Sequence, residues 1–341
     1  MLIDDAAPGP QMRALVLEQF GAPLQLRTVS RPVPRRGEVL VRVGASGVNP
    51  LDTKIRAGSA AHARVSVPAI LGLDLAGVVT AVGPGESRFT AGDEVYGMTG
   101  GAGDVPGSLA EYAAVDGDLL AIKPARLSLV EAAALPLSAI TAWEGLVDRA
   151  AVGPGDTVLV HGGAGGVGHV AVQIAVARGA AVFATGREEN FETIRRLGAQ
   201  PIDYRKASTD DYLAVSSSGE GFDIIFDTVG GAVLDQSFTV VRPYTGRVVS
   251  ILGWGTHSLA PLSFRGASYS GVFTLLPLLT GRGRRRHGQI LTEVAALVDA
   301  GQLTPLLDPG DYTLGSLAQA HQSVESGTAG GKVVINVARS A

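Results

Sequence analysis

The chain has 341 residues, 46% hydrophobic and 18% charged. That length exceeds one ordinary domain and suits two, each able to bury a core, so a largely disordered chain is excluded. A formal charge of -4 argues against nucleic acid as the main partner, and the absence of cysteine excludes disulfides, thiolate metal sites and a cysteine nucleophile.

Residues 1–10 read as a loose tail with two acids and no apolar stretch, unlike a secretory leader. From Met12 to about Lys123, short valine-rich runs alternate with Gly/Pro turns, as in EVLVRVGASGVNP and LAGVVTAVGPGESRFTAGDEVYG. This pattern predicts a compact, partly β-barrel domain whose first part spans 1–124. After Pro124, LSLVEAAALPLSAITAWEGLVDRA predicts two helical pieces around Pro136.

Strand and helix patterns then alternate. TVLVHGG, AAVFATG, PIDY, FDIIFDTVG and GRVVSIL read as strands, and VGHVAVQIAVARG and ENFETIRRLGA as helices. The alternation predicts βαβ units, a parallel doubly wound sheet and an α/β fold class, with this domain at 125–265. Residues 266–341 hold the helix GQILTEVAALVDAGQL and the apolar strand KVVINV, which is expected to return to the first domain. The stretch Gly271–Leu279 is too short to span a bilayer and contains Pro277, so no membrane partner and a soluble, cytoplasmic protein are expected. The basic run Arg282, Arg284, Arg285 and Arg286 reads as a solvated turn.

Gly163, Gly165 and Gly168 have G-x-G-x-x-G spacing, with Gly166 and Val167 inside the turn, between a strand and a helix. That context predicts a Rossmann dinucleotide site. Gly163 is expected to allow the tight turn, Gly165 to admit the pyrophosphate, and Gly168 to let the helix pack on the strand. The helix N-terminus then offers free N–H groups to phosphate. The next strand ends Thr185, Gly186, Arg187, with no acid before Glu188. An NAD site places a carboxylate there, whereas an arginine suits a 2′-phosphate, so NADPH is the expected cofactor.

The segments GVNPLDTKIRAG, ILGLDLAGVVTAVGPG, GDEVYG, SLAEYA, AALPLSAITAWEGL, HGGAGGVGHVAVQIA, FDTVGG and GGKVVINV occur in one order from about residue 12 to the end. In these motifs the chain resembles the zinc-free quinone oxidoreductase and enone reductase branch of the medium-chain dehydrogenase/reductase superfamily. The resemblance implies a GroES-like catalytic domain formed by both ends of the chain, a Rossmann domain inserted in it, and the nicotinamide in the cleft. It also implies that Thr141, Val229, Gly230 and Lys332 serve the cofactor, and that Tyr204 packs near the adenine or 2′-phosphate. A homodimer through the Rossmann domains is expected, motivated by the apolar run Val272, Phe273, Leu275, Leu276, Leu278 and Leu279.

The zinc-dependent relatives need a cysteine near the start of GVNPLD, a His-Glu pair in the following segment and a further cysteine. This chain has Asn49, then Leu73 and Asp74, and MTGGAGDVPGS where such relatives carry a four-cysteine lobe. No metal is therefore expected. Without a Lewis acid, hydride addition to a quinone or an α,β-unsaturated carbonyl is the expected chemistry. Lys54 and Asn49 are the candidates to donate to the developing oxyanion or to hold the nicotinamide ribose, and Asp52 is expected to orient Lys54. Two other readings stay open: reduction of 2-enoyl thioesters or 2-haloacrylates, and a non-catalytic NADPH-binding protein.

Overall fold

The computed structural model describes residues 9–86, 88–216 and 219–339. Most of the expected N-terminal tail lies outside the described residues. The chain forms two units. One runs up to residue 137 and resumes at 275–300 and from 305 onward, and the other comprises 138–274 and 301–304.

The first unit is built mainly of antiparallel strands. These are β1 (Gln11–Leu17), β2 (Gln25–Ser30), β3 (Glu38–Gly47), β4 (Ala69–Ile70), β5 (Asp74–Val82), β6 (Glu94–Met98), β7 (Tyr112–Asp116) and β8 (Leu120–Ile122). Val, Leu and Ala fill β3 and β5, which suits strands buried on both faces. The second unit contains β9 (Thr157–Val160), β10 (Ala181–Gly186), β11 (Gln200–Asp203), β12 (Ile224–Asp227), β13 (Arg247–Ser250) and β14 (Ser268–Gly271). Two last strands, β15 (Tyr312–Thr313) and β16 (Val334–Asn336), belong to the first unit.

In the first unit the main sheet has the order β15-β16-β3-β5-β6-β8, and β7 also pairs with β3. Strand β7 takes Glu38–Arg42, and β16 takes Ala45–Gly47 of the same strand. Gly47 is opposite both Asp74 of β5 and Val334 of β16. One end of β3, the start of β5 and the start of β16 thus converge. The expected return of KVVINV to the first domain is realised in this pairing.

The second unit is a six-stranded parallel sheet ordered β11-β10-β9-β12-β13-β14. In chain order this is 3-2-1-4-5-6, the doubly wound arrangement predicted from the alternating pattern. Helices pack on it, including Gly168–Ala177 after β9 and Ala232–Val240 after β12. The strand order reverses between β9 and β12, which pair side by side. The turns leaving these two strands therefore open at the switch point, where open α/β sheets bind ligands.

Two expectations change in detail. The first unit runs past residue 124 because the helix Leu129–Ala133 packs on β3: a Cβ on Gly47 would lie 2.3 Å from the Ala133 carbonyl oxygen. The second unit runs past 265 because β14 adds to its sheet. The apolar run at 272–279 is not an exposed patch. Val272, Leu275 and Leu278 are buried, and Leu276 alone of the run is exposed, at 52%. Arg284 is likewise not simply solvated, since it bonds Asp116 and the carbonyls of Pro277 and Leu278. Among the described residues, no helix is long and apolar enough to cross a membrane.

Candidate functional site

The glycine turn of the second unit follows β9. Positive φ falls at Gly162 (72°), one residue before the position expected to make the tight turn. Gly163 serves packing instead: a Cβ there would lie 2.4 Å from the Ala184 Cβ on β10. At Gly168 a Cβ would lie 2.0 Å from the Gly162 carbonyl oxygen, so the helix can start this close only without a side chain. Gly165 and Gly166 are exposed and Val167 is half-buried. Among the described residues, the amides of Gly166, Val167 and Gly168 find no acceptor. Amides without an acceptor among the described residues, at the start of a ten-residue helix and beside the exposed Gly165 and Gly166, make a cradle suited to a pyrophosphate.

The walls of this cradle are fixed from β10 and β12. The Gly162 amide donates to Thr185 Oγ1 at 2.9 Å, and the Gly163 amide to the Thr185 carbonyl. Thr185 is thus a support of the turn, and Gly186 is buried against Ile194. The turn after β12 is organised by Asp227, fully buried, whose carboxylate accepts from the amides of Val229 (2.9 Å) and Gly230 (2.9 Å) and from Ser250 Oγ (2.7 Å). Gly230 has φ 76°, and a Cβ there would meet the Leu252 carbonyl oxygen at 2.5 Å. Val229 is 49% exposed, whereas Thr141 is buried with its hydroxyl 2.8 Å from that of Thr274.

Arg187 ends β10, is exposed and donates to Tyr204 Oη at 3.4 Å. The two residues expected near a 2′-phosphate are therefore together. Glu188, the acid that an NAD site would use, lies 3.4 Å from Lys206 Nζ.

In the first unit the convergence of β3, β5 and β16 buries Asn49, Asp52, Asp74 and Lys332, none more than 5% exposed. Asn49 Nδ2 donates to Asp74 Oδ2 at 2.9 Å, and Lys332 Nζ donates to Asn49 Oδ1. Lys332 Nζ is also 3.8 Å from Asp74 Oδ2, and Asp74 Oδ1 accepts from the Leu137 amide at 2.8 Å. Asp52 Oδ2 accepts from the Asn49 amide at 2.8 Å, which caps the helix Pro50–Arg56, while Asp52 Oδ1 has no partner among the described residues. Burial pushes Asp52 up to about 7, with Asp74 adding to the rise and Lys332 opposing it. Burial also raises Asp74 and lowers Lys332, each opposed by the charge of the other.

The sequence-based expectations for these residues change accordingly. Lys332, expected at the cofactor, belongs to this buried network of the first unit. Asp52 does not orient Lys54 but caps the helix. Asn49 has both ends of its amide engaged internally. Lys54 lies on the exposed face of the same helix, and its Nζ has no partner among the described residues. It lines an open cavity of about 300 Å³ with Pro50, Thr53, Ala57, Val324 and Glu325. Sequence reasoning overlooked Asp227 as an organiser, although it stands inside the FDTVGG segment.

Comparisons with known proteins agree with this architecture. Residues 35–125 match the family described as "Alcohol dehydrogenase GroES-like domain", and residues 197–335 match "Zinc-binding dehydrogenase". An NADPH-dependent alkenal/one oxidoreductase of Arabidopsis thaliana is 34% identical over 97% of this chain and 81% of its own length. The quinone oxidoreductase of Sus scrofa is 32% identical over 95% and 97%. The crystal structure of an alcohol dehydrogenase superfamily protein from Novosphingobium aromaticivorans has TM-score 0.93 and 53% identity, covering 96% of this chain and 99% of that one. The zinc in the second family's description does not fit the residues found here. Asp74 faces an ammonium group and two hydrogen-bond donors, and no group of three His, Cys, Asp or Glu suited to a metal occurs among the described residues.

Proposed function

Because the chain belongs to the medium-chain dehydrogenase/reductase family of alcohol dehydrogenase-like oxidoreductases, with a nicotinamide cofactor, we propose that it uses NADPH to reduce quinones or α,β-unsaturated carbonyls. The observation that carries this reading is the Lys332 ammonium held against Asn49 and Asp74. A fixed internal cation stands where zinc-dependent relatives gather metal ligands, so the donor set cannot make an alcohol proton acidic. A conjugated acceptor needs less help, because its charge spreads over an enolate or hydroquinone oxygen. The names of the plant and mammalian relatives support the same substrate classes.

The bound nicotinamide supplies the hydride. The amides of Gly166, Val167 and Gly168 hold the pyrophosphate, and Arg187 beside Tyr204 pairs with the 2′-phosphate. The pairing of Glu188 with Lys206 supports NADPH over NADH, since it draws the nearest acid away from the ribose. Lys54, exposed and without a partner among the described residues, donates to the developing oxygen; water then delivers the proton to the α-carbon of an enone or to the oxygen of a hydroquinone. Asn49, Asp52 and Lys332 act from beneath by fixing the helix that carries Lys54. We further infer a homodimer through the sheet edge at β14, whose second side has no strand partner among the described residues. Light scattering at micromolar concentration tests it, and a monomer refutes it.

The test of function is steady-state turnover at saturating NADPH or NADP⁺ with a small quinone, an enone and a primary alcohol. Reduction of at least one acceptor well above alcohol oxidation is expected. Faster turnover of the alcohol than of both acceptors overturns the reading.

A further inference from the structure

His161 stands directly after β9 and is 1% exposed. Its imidazole lies between two hydroxyls: Thr185 Oγ1 is 3.4 Å from Nδ1, and Ser237 Oγ is 3.2 Å from Nε2. The direction of each bond follows from what the hydroxyls already do. Ser237 donates its proton to the Val233 carbonyl at 2.8 Å, so it can only accept from the ring. Nε2 therefore carries the hydrogen. A neutral ring then leaves Nδ1 as an acceptor, and Thr185 donates to it while accepting from the Gly162 amide at 2.9 Å.

We propose that His161 is a positioning residue, a neutral Nε2–H imidazole that carries a one-way hydrogen-bond chain from the Gly162 amide through Thr185 and Ser237 to the Val233 carbonyl, and so locks the turn after β9 to the helix after the turn at 227–231. The backbone of His161 strengthens the same link. Its amide donates to the Phe226 carbonyl at 2.9 Å, and its carbonyl accepts from Thr228 Oγ1 at 2.7 Å. The three side chains of the relay, His161, Thr185 and Ser237, are all buried, so water does not compete and the order of donors is fixed. The charged group acting on the ring is Asp227, and Tyr212 meets it edge-on at 6.1 Å. Burial outweighs Asp227 and pushes His161 down to about 4, which keeps the ring neutral across the working range. A protonated ring would have to donate at both nitrogens, which reverses Thr185.

The effect of this chain on cofactor affinity rests on the reading that the two turns hold NADPH; the state of the ring does not. The first experiment is therefore ¹⁵N NMR of the imidazoles in the wild-type protein, with His161 assigned by its absence in His161→Phe. An Nε2–H tautomer that does not titrate between pH 8 and pH 5 is expected. An Nδ1–H tautomer, or titration near the ordinary histidine value, overturns the proposal. The second experiment is fluorescence titration with NADPH, with KM and kcat alongside. Ser237→Ala, at the end of the relay farthest from the glycine turn, is expected to weaken binding roughly three- to ten-fold and to raise KM with kcat nearly unchanged. The double variant with His161→Phe should bind no worse than His161→Phe alone, since the chain is already cut. Additive losses, or an unchanged Ser237→Ala, refute the relay even if the NMR agrees. A wild type with the expected tautomer that binds no NADPH would instead refute the cofactor reading.

Discussion

Asp52→Asn is expected to make the protein more resistant to unfolding at alkaline pH and less so at acid pH. Asp52 is fully buried with one oxygen unpartnered among the described residues, beside Asp74 and Lys332. Its pKa rises from 3.8 to about 7 on folding. A raised folded-state value means that the folded chain holds the proton more tightly. Relative stability is thus greatest below the unfolded value and is lost as pH rises through the folded one. A rise of that size corresponds to about 4 kcal/mol, lost between roughly pH 4 and pH 7 and above. Asparagine keeps an acceptor for the Asn49 amide and removes the titration, but its NH₂ takes the place of the unpartnered oxygen, which costs about 1–3 kcal/mol at every pH. The difference between variant and wild type should therefore swing by about 3 kcal/mol between pH 4.5 and 8.5, changing sign on the way. Denaturant unfolding followed by far-UV circular dichroism reads this directly. A difference that is constant across pH would refute the argument, because it would mean that Asp52 is ionised throughout and stabilised by Lys332.

Arg187→Glu should reverse the cofactor preference, with NADPH binding weakened roughly ten-fold or more; equal wild-type affinity for NADH and NADPH in a titration would remove the premise. Lys54→Ala should lower turnover roughly ten- to a hundred-fold with the NADPH dissociation constant unchanged, and an unaltered rate dismisses Lys54 from the chemistry. Gly168→Ala forces a Cβ to within 2.0 Å of the Gly162 carbonyl oxygen, so it should abolish NADPH-induced thermal stabilisation, which wild-type-like melting with cofactor would contradict. Elemental analysis should find no stoichiometric zinc and chelator should leave turnover unchanged, since Lys332 already compensates Asp74; one zinc per chain would refute this.

Strand β14 was missed because SYSG carries no apolar run, whereas the other five of the six strands of the second unit were legible because their apolar runs alternate with helical patterns and leave few topologies. The glycine turn was legible for the same reason, but spacing alone could not tell which glycine of the HGG segment takes positive φ; that depends on the contact of Gly163 with Ala184 across two strands. The apolar run at 272–279 misled because composition does not say which way a short helix faces, and the chain buries three of its members itself. The network around Lys332 was not legible for a different reason. Its partner Asn49 is 283 residues away in sequence, and only the pairing of β16 with β3 brings them together. Asn49 and Lys54 looked like one site because they are five residues apart, yet a helix start turns one inward and the other outward.

The late strand β16 also sets an order of assembly. Residues 138–274 leave the ribosome as one nearly complete unit and can condense while the remainder is still being made. The first unit cannot, because the strand that completes β3 and the ammonium that answers Asp52 and Asp74 arrive almost 60 residues later. Until then two carboxylates sit in a half-built core with no cation, a state that favours hydration of that corner over premature closure. Strand β16, made well after β3 and β5, acts as the latch on them. A ribosome stalled before residue 332 would hold a folded nucleotide-binding sheet tethered to an open, protease-sensitive partner.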